Sequence, residues 1–159
     1  REGATGMDRH PYPGVDIVHD LDQTPWPLED ASFDRIVCSH IIEHVADPVA
    51  FLREVHRVAR PGALAEFITP HFSSIDSWTD PTHRWHLASI WHENLRPGTY
   101  LAAQTGAFEL VSSTITFGKS LRSLVPRAMV RLGARAAWEK HYAFIYPARN
   151  IETVLRVLK

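Results

Sequence analysis

A single cysteine, Cys38, leaves this chain without an internal disulfide and fits a reducing compartment, so a cytoplasmic setting is expected. No apolar run approaches the ~20 residues that a membrane-spanning helix needs. Neither sign of charge dominates. Seventeen Lys and Arg against 18 Asp and Glu give a formal net charge of −1, so no global pull toward nucleic acid or an anionic membrane is expected. Internal repeats, low-complexity tracts and a visible secretory leader are missing as well. So is an initiator methionine: the chain opens at Arg1, in strand-and-turn text, which predicts a segment that begins partway through a domain. What is present is ordinary for a globular protein. The 159 residues are 45% hydrophobic and 22% charged, enough for one domain with its own core.

The most informative stretch runs from Ser32 to Phe67. FDRIVC at 33–38 has the composition of a strand. Asp47 is a good N-cap and Pro48 fits the first helical position. Phe51, Leu52, Val55, Val58 and Ala59 then recur at helical spacing, with Arg53, Glu54, Arg57 and Arg60 expected on the outward side. Pro61-Gly62 predicts a tight turn that stops the helix, and ALAEFIT at 63–69 a further strand. Upstream, short strands are expected at 4–8 and 15–19, separated from residue 33 by the Pro-rich loop 22–32. Downstream, 107–117 and about 151–158 are predicted as strands and about 120–138 as helix. Strands alternating with helical pieces, then a hairpin-like end, give an α/β class: an open twisted sheet, mostly parallel with one antiparallel strand.

In such sheets the site lies beyond the carboxyl ends of the strands. Asp8, Asp20, Ser39-His40 and Pro70-His71 follow four successive predicted strands and should share one rim. Two acids, a hydroxyl and two imidazoles suit a nucleoside-like ligand. One acid can take a ribose diol, and the next can accept from an exocyclic amine.

The segments GMD at 6–8, HDLDQTPWPLEDASFDRIVCSHIIEHV at 19–45 and RVARPGALAEF at 57–67 resemble the class I S-adenosylmethionine-dependent methyltransferases, of the broad group that modifies small molecules. The resemblance is tight over 15–70 and loose elsewhere. It implies a Rossmann-like fold and S-adenosylmethionine as cofactor. It also implies Asp8 on the ribose, Asp20 on the adenine amine, the Leu21 amide on an adenine ring nitrogen, and Ser39 and His40 along the methionine part. The family's first strand and Gly-rich turn have no counterpart before Asp8. A parent chain is therefore expected to carry about 40–60 residues upstream, with a Gly-x-Gly turn roughly 20 residues before Asp8. The implied reaction is methyl transfer to an oxygen or nitrogen of a small-molecule or sugar-type acceptor by direct displacement, with no metal required. A degenerate, non-catalytic scaffold of the same fold stays open beside it.

Residues 1–159 thus form a single domain, with a substrate-side insertion at 70–97 and a helical segment at 119–140. The insertion holds His71, His83, His86 and His92 among Trp78, Trp85 and Trp91. Aromatic faces there would shape an acceptor pocket or hold the sulfonium, and His83 or His71 would take a proton from an acceptor hydroxyl. His86 is a candidate partner for His83 on a local turn. His40-x-x-Glu43-His44 also spells an inverted zinc-protease signature, so a zinc hydrolase is the competing reading. Its context argues against it, since the motif follows a strand directly and Asp47-Pro48 starts a new helix three residues on. Arg127, Arg131 and Arg135, four apart, are expected on one helix face. That face is either solvated or a lip for an anionic acceptor such as a phosphorylated or lipid-linked sugar. No nucleic-acid partner is expected, and the oligomeric state is open.

Overall fold

Strand β3 (Phe33–Ser39), helix α1 (Pro48–Val58) and strand β4 (Ala59–Pro70) form the unit that organises the molecule, in a computed structural model that describes residues 3–159. The Asp47 carboxylate accepts from the amides of Val49 (2.8 Å) and Ala50 (3.1 Å), satisfying two orphan donors of the first turn. Phe51, Leu52, Val55 and Val58 are buried against the sheet, as their spacing predicts. Two local expectations fail. No tight turn separates α1 from β4. Ala59 already pairs with Phe33, and the ladder resumes at Arg35 and Leu64, so Pro61-Gly62 lies in a bulge, with Gly62 at φ +80°. Glu54, expected to face outward, is buried. It accepts from the Trp26 amide at 2.7 Å and pairs with Arg57 at 2.7 Å, so it ties the loop 22–32 to the helix.

β4 is the centre of a four-stranded sheet. β3 lies parallel on one side of it; on the other, β6 (Asn150–Leu158) is antiparallel both to β4 and to the outer strand β5 (Ala107–Ile115). β3, β4 and β5 therefore share a direction and β6 alone is reversed, as expected. β1 (Met7–Asp8) and β2 (Ile17–Val18) form a separate parallel pair. Gly6 permits that pairing: a Cβ there would lie 2.2 Å from the Gly14 carbonyl oxygen. Among the described residues no strand joins the two sheets. Among the described residues β1 and β3 each keep one edge without a strand partner.

The main core lies between α1 and the sheet, with Phe67, Phe108, Leu155 and Val157 fully buried. A second cluster gathers Ile115, Ala143 and Ala148 around Trp138. The insertion after β4 is largely irregular, with short helical turns α2 (Asp76–Thr79) and a 3₁₀ turn Trp91–Leu95, and it leads through α3 (Ala102–Thr105) into β5. The single helix expected at 120–138 is instead a 3₁₀ turn (Leu121–Ser123), α4 (Leu124–Arg131) and α5 (Arg135–His141), broken at Gly133 with φ +81°. The break also dissolves the predicted arginine face. Arg127 donates to the carbonyls of Phe117 and Gly118, while Arg135 turns inward to Ser89 and Ser113. No described helix is long and apolar enough to cross a membrane.

Candidate functional site

Parallel strands bring their carboxyl ends to one rim. β1 ends at Asp8, β2 runs out two residues before Asp20, and β3 ends at Ser39. The chain turns sharply at His40, whose φ of +55° is rare for a side chain of this size. Its amide stays tied to the sheet by donating to the Ile68 carbonyl at 2.8 Å. Local bonds set the acids. Asp8 accepts from the His10 amide at 2.8 Å and Asp20 from the Asp22 amide at 3.1 Å, which leaves each carboxylate with free acceptor positions. Trp26 pins the intervening loop by donating from Nε1 to the Leu21 carbonyl at 3.1 Å.

Asp8, Asp20, Leu21 and His40 converge on a cavity of about 610 Å³, which His44 and Thr82 also line. That volume suits a cofactor-sized ligand. Four of the five cofactor residues expected from sequence thus share one cavity. Ser39 is exposed and is not among its lining residues, because the turn at His40 carries the chain over the rim one residue later.

The insertion forms one wall. The amides of Arg84 (2.8 Å) and Trp85 (3.3 Å) donate to the Glu43 carbonyl, and Trp85 Nε1 donates to the Val45 carbonyl at 2.8 Å. His83 stands behind His44, ring centroids 4.6 Å apart and edge to face, so it meets the cavity through His44. His86 does not pair with His83. It stacks on Trp78 at 3.7 Å and shares a hydrogen bond with the Ser77 hydroxyl at 2.8 Å.

His71 occupies a different place altogether. It is fully buried between Phe72 and Trp138. Nε2 donates to Glu139 at 3.0 Å, and Nδ1 accepts from the Ser73 hydroxyl at 2.8 Å. No lone pair is left for an acceptor proton, so this imidazole is structural. Ser89 donates to the same carboxylate through both amide (2.7 Å) and hydroxyl. Burial alone would push the Glu139 carboxyl up, yet the donors from His71 and Ser89 outweigh it and hold the group down at about 2. Cys38 is buried in β3 and its thiol is pushed up to about 12 by desolvation, as befits a small core residue.

Residues 41–45 form turns rather than helix, so His40 and His44 are not stacked on one helical face and the inverted zinc-protease geometry is not formed. A different trio approaches. Glu43, His44 and His83 each bring one ligand-capable atom within 4.8 Å of the others. Thr82 is not among the residues that the sequence singles out. The Asp80-x-Thr82 spacing was the available signal, since Asp80 accepts from both the amide (2.8 Å) and the hydroxyl (2.6 Å) of Thr82.

Residues 4–67 match a family model described as a methyltransferase domain. A Mycobacterium tuberculosis protein described as a probable S-adenosylmethionine-dependent methyltransferase is 28% identical over 151 residues, covering 89% of this chain and 54% of its own length. Both matches support a class I S-adenosylmethionine-dependent methyltransferase. A Mycolicibacterium smegmatis protein with the same description is 43% identical over 90 residues, covering 56% of this chain and 35% of its own. Among solved structures, an S-adenosylmethionine-dependent methyltransferase from Mesorhizobium loti superposes with a TM-score of 0.55 at 17% identity, over 92% of this chain and 71% of that one, a likeness of fold. The chain spans about half the length of the tuberculosis relative it matches. The matched domain and these relatives imply S-adenosylmethionine as cofactor.

Proposed function

We propose that this methyltransferase binds S-adenosylmethionine in the cavity at the β1–β3 rim and transfers its methyl group to an oxygen or nitrogen of a small-molecule or sugar-type acceptor. The observation that supports the reading best is the convergence of the Asp8 and Asp20 carboxylates with Leu21 and His40 on one cavity. In this assignment Asp8 accepts from the ribose hydroxyls, Asp20 from the adenine amine, and the Leu21 amide donates to an adenine ring nitrogen. His40 and the neighbouring Ser39 border the methionine end.

The sulfonium is an activated donor, so the chemistry asked of the protein is alignment. The acceptor's lone pair attacks the methyl carbon, the carbon–sulfur bond breaks, and S-adenosylhomocysteine leaves with the electron pair. Holding both reactants in line is worth up to ~7–11 kcal/mol. The 80–86 stretch docked on Glu43 and Val45 is the wall against which the acceptor lies. His83, expected from sequence as the base, reaches that acceptor only by way of His44.

The test is calorimetric. The intact protein carrying this chain should bind S-adenosylhomocysteine, and Asp8→Ala should weaken it at least ~10-fold, the cost of a charge-assisted hydrogen bond. Undiminished affinity in Asp8→Ala would remove the ribose assignment.

A further inference from the structure

The HIIEH turn and the TDPTH loop meet beside the cavity, and one feature there has no use in cofactor binding. Glu43 is 1% exposed, with one carboxylate oxygen bonded to His40 Nδ1 at 3.1 Å and the other, Oε2, buried without any partner. A buried carboxylate oxygen is costly to leave bare. Within 4.8 Å of the Glu43 ligand atom stand one ring nitrogen each from His44 and His83, themselves within that distance of each other.

The hydrogen bonds fix both tautomers. His83 Nδ1 lies 3.0 Å from the Ser77 carbonyl oxygen. A carbonyl only accepts, so Nδ1 carries the proton and Nε2 the lone pair. The Thr82 hydroxyl spends its proton on Asp80 at 2.6 Å, so at 2.9 Å it accepts from His44 Nδ1, and Nε2 of His44 again keeps the lone pair. Each imidazole is thus oriented by a bond at its far nitrogen, as metal-ligating histidines are. The backbone bonds from Arg84 and Trp85 to the Glu43 carbonyl hold the two segments in register.

We propose that Glu43, His44 and His83 bind a divalent transition metal at the wall of the cavity, and that this ion holds the acceptor through a hydroxyl oxygen. Two imidazoles and a carboxylate are a donor set for zinc-like ions, and three protein ligands leave positions open for a substrate. His44, one of the three, also lines the cavity. A hydroxyl bound there is acidified by the ion, and its oxygen can attack the methyl carbon after giving its proton to solvent. The inference rests on the methyl-transfer reading and narrows it to oxygen acceptors, with a vicinal diol, which can chelate, as the fitting class. It departs from the sequence expectation that no metal is needed.

The experiment strips the intact protein with EDTA and titrates it with Co²⁺, by calorimetry and by visible absorption, without cofactor. One equivalent should bind, and His83→Ala and Glu43→Gln should each weaken it at least ~10-fold. Near-UV circular dichroism of each variant shows whether its fold is intact. No uptake by the folded stripped protein, or equal affinity in folded His83→Ala and Glu43→Gln, overturns the site. A parallel titration with S-adenosylhomocysteine separates the two readings. Metal without cofactor binding sinks the methyl-transfer reading and with it the acceptor role, while cofactor binding without metal sinks only this inference.

Discussion

Single residues decide whether the rim can form. Gly6 is the sharpest case: β1 approaches the loop before β2 so closely that the Gly6 carbonyl accepts from the amides of Asp16 (2.8 Å) and Ile17 (3.0 Å), while its own amide donates to the Asp16 side chain at 2.7 Å. A methyl group there would collide with the Gly14 backbone at 2.2 Å, where no flexible side chain can yield. Gly6→Ala should therefore destabilise by ~1–3 kcal/mol and displace Asp8, two residues on. Urea unfolding and cofactor titration together check it; a variant with unchanged midpoint and affinity would show that the β1–β2 pair is not needed at the rim. The sequence signals differ in kind here. Asp8 and Asp20 could be placed at one rim from sequence because each follows a predicted strand, and both line the cavity. The steric demand on Gly6 was not legible, since it depends on a chain segment eight residues away in sequence passing within contact distance.

At the scale of elements, periodicity carried the reading as far as a periodic signal reaches. α1 and the strands on either side of it appear where apolar spacing puts them, and β6 is reversed as the hairpin-like end predicted. Two failures share a cause. The Pro61-Gly62 pair looks like a terminator in isolation, but β3 continues to pair across it and absorbs the extra residues as a bulge. Glu54 looks outward by its charge, yet the Pro-rich loop folds over it and supplies both the Trp26 amide and a pocket for Arg57, which also pairs with Asp30 at 2.5 Å. Burial would raise the Glu54 carboxyl, but Arg57 and the Trp26 amide leave it below its ordinary value. Glu54→Ala should cost ~2–3 kcal/mol, because it strips a buried amide and a guanidinium of their shared acceptor. It should also loosen residues 22–30, which hydrogen exchange at the Trp26 amide would report. Exchange as slow as in the parent protein would mean that the loop is held by its apolar contacts alone.

Across the whole molecule the decisive contacts join segments that no local pattern connects. His71 at the end of β4, Ser89 in the insertion and Glu139 on α5 meet through contacts 68 and 50 residues apart in sequence. That distance is why His71 was open to a catalytic reading: a histidine after a strand looks the same whether it faces a ligand or a carboxylate from the far end of the chain. The network fastens the insertion to the late helices, so it should set acid stability. Glu139 titrates at about 2 in the folded protein against an ordinary 4.5. A carboxyl depressed by folding contributes stability that is complete above its unfolded value and lost as pH falls from there through about 2. Glu139→Gln should therefore cost about 3 kcal/mol near neutrality, as a buried pair broken on one side does. The gap to the parent protein should narrow as pH drops below 4.5, where the parent progressively loses what the variant never had. Glu54, which Arg57 and the Trp26 amide also hold below its ordinary value, adds to the acid sensitivity of both proteins, so the informative quantity is the difference between them in urea midpoint at each pH. A difference that stays constant from pH 6 to pH 2.5 would mean that Glu139 is not held ionised by His71 and Ser89, and the tie between the insertion and the late helices would have to rest on Trp138 packing alone.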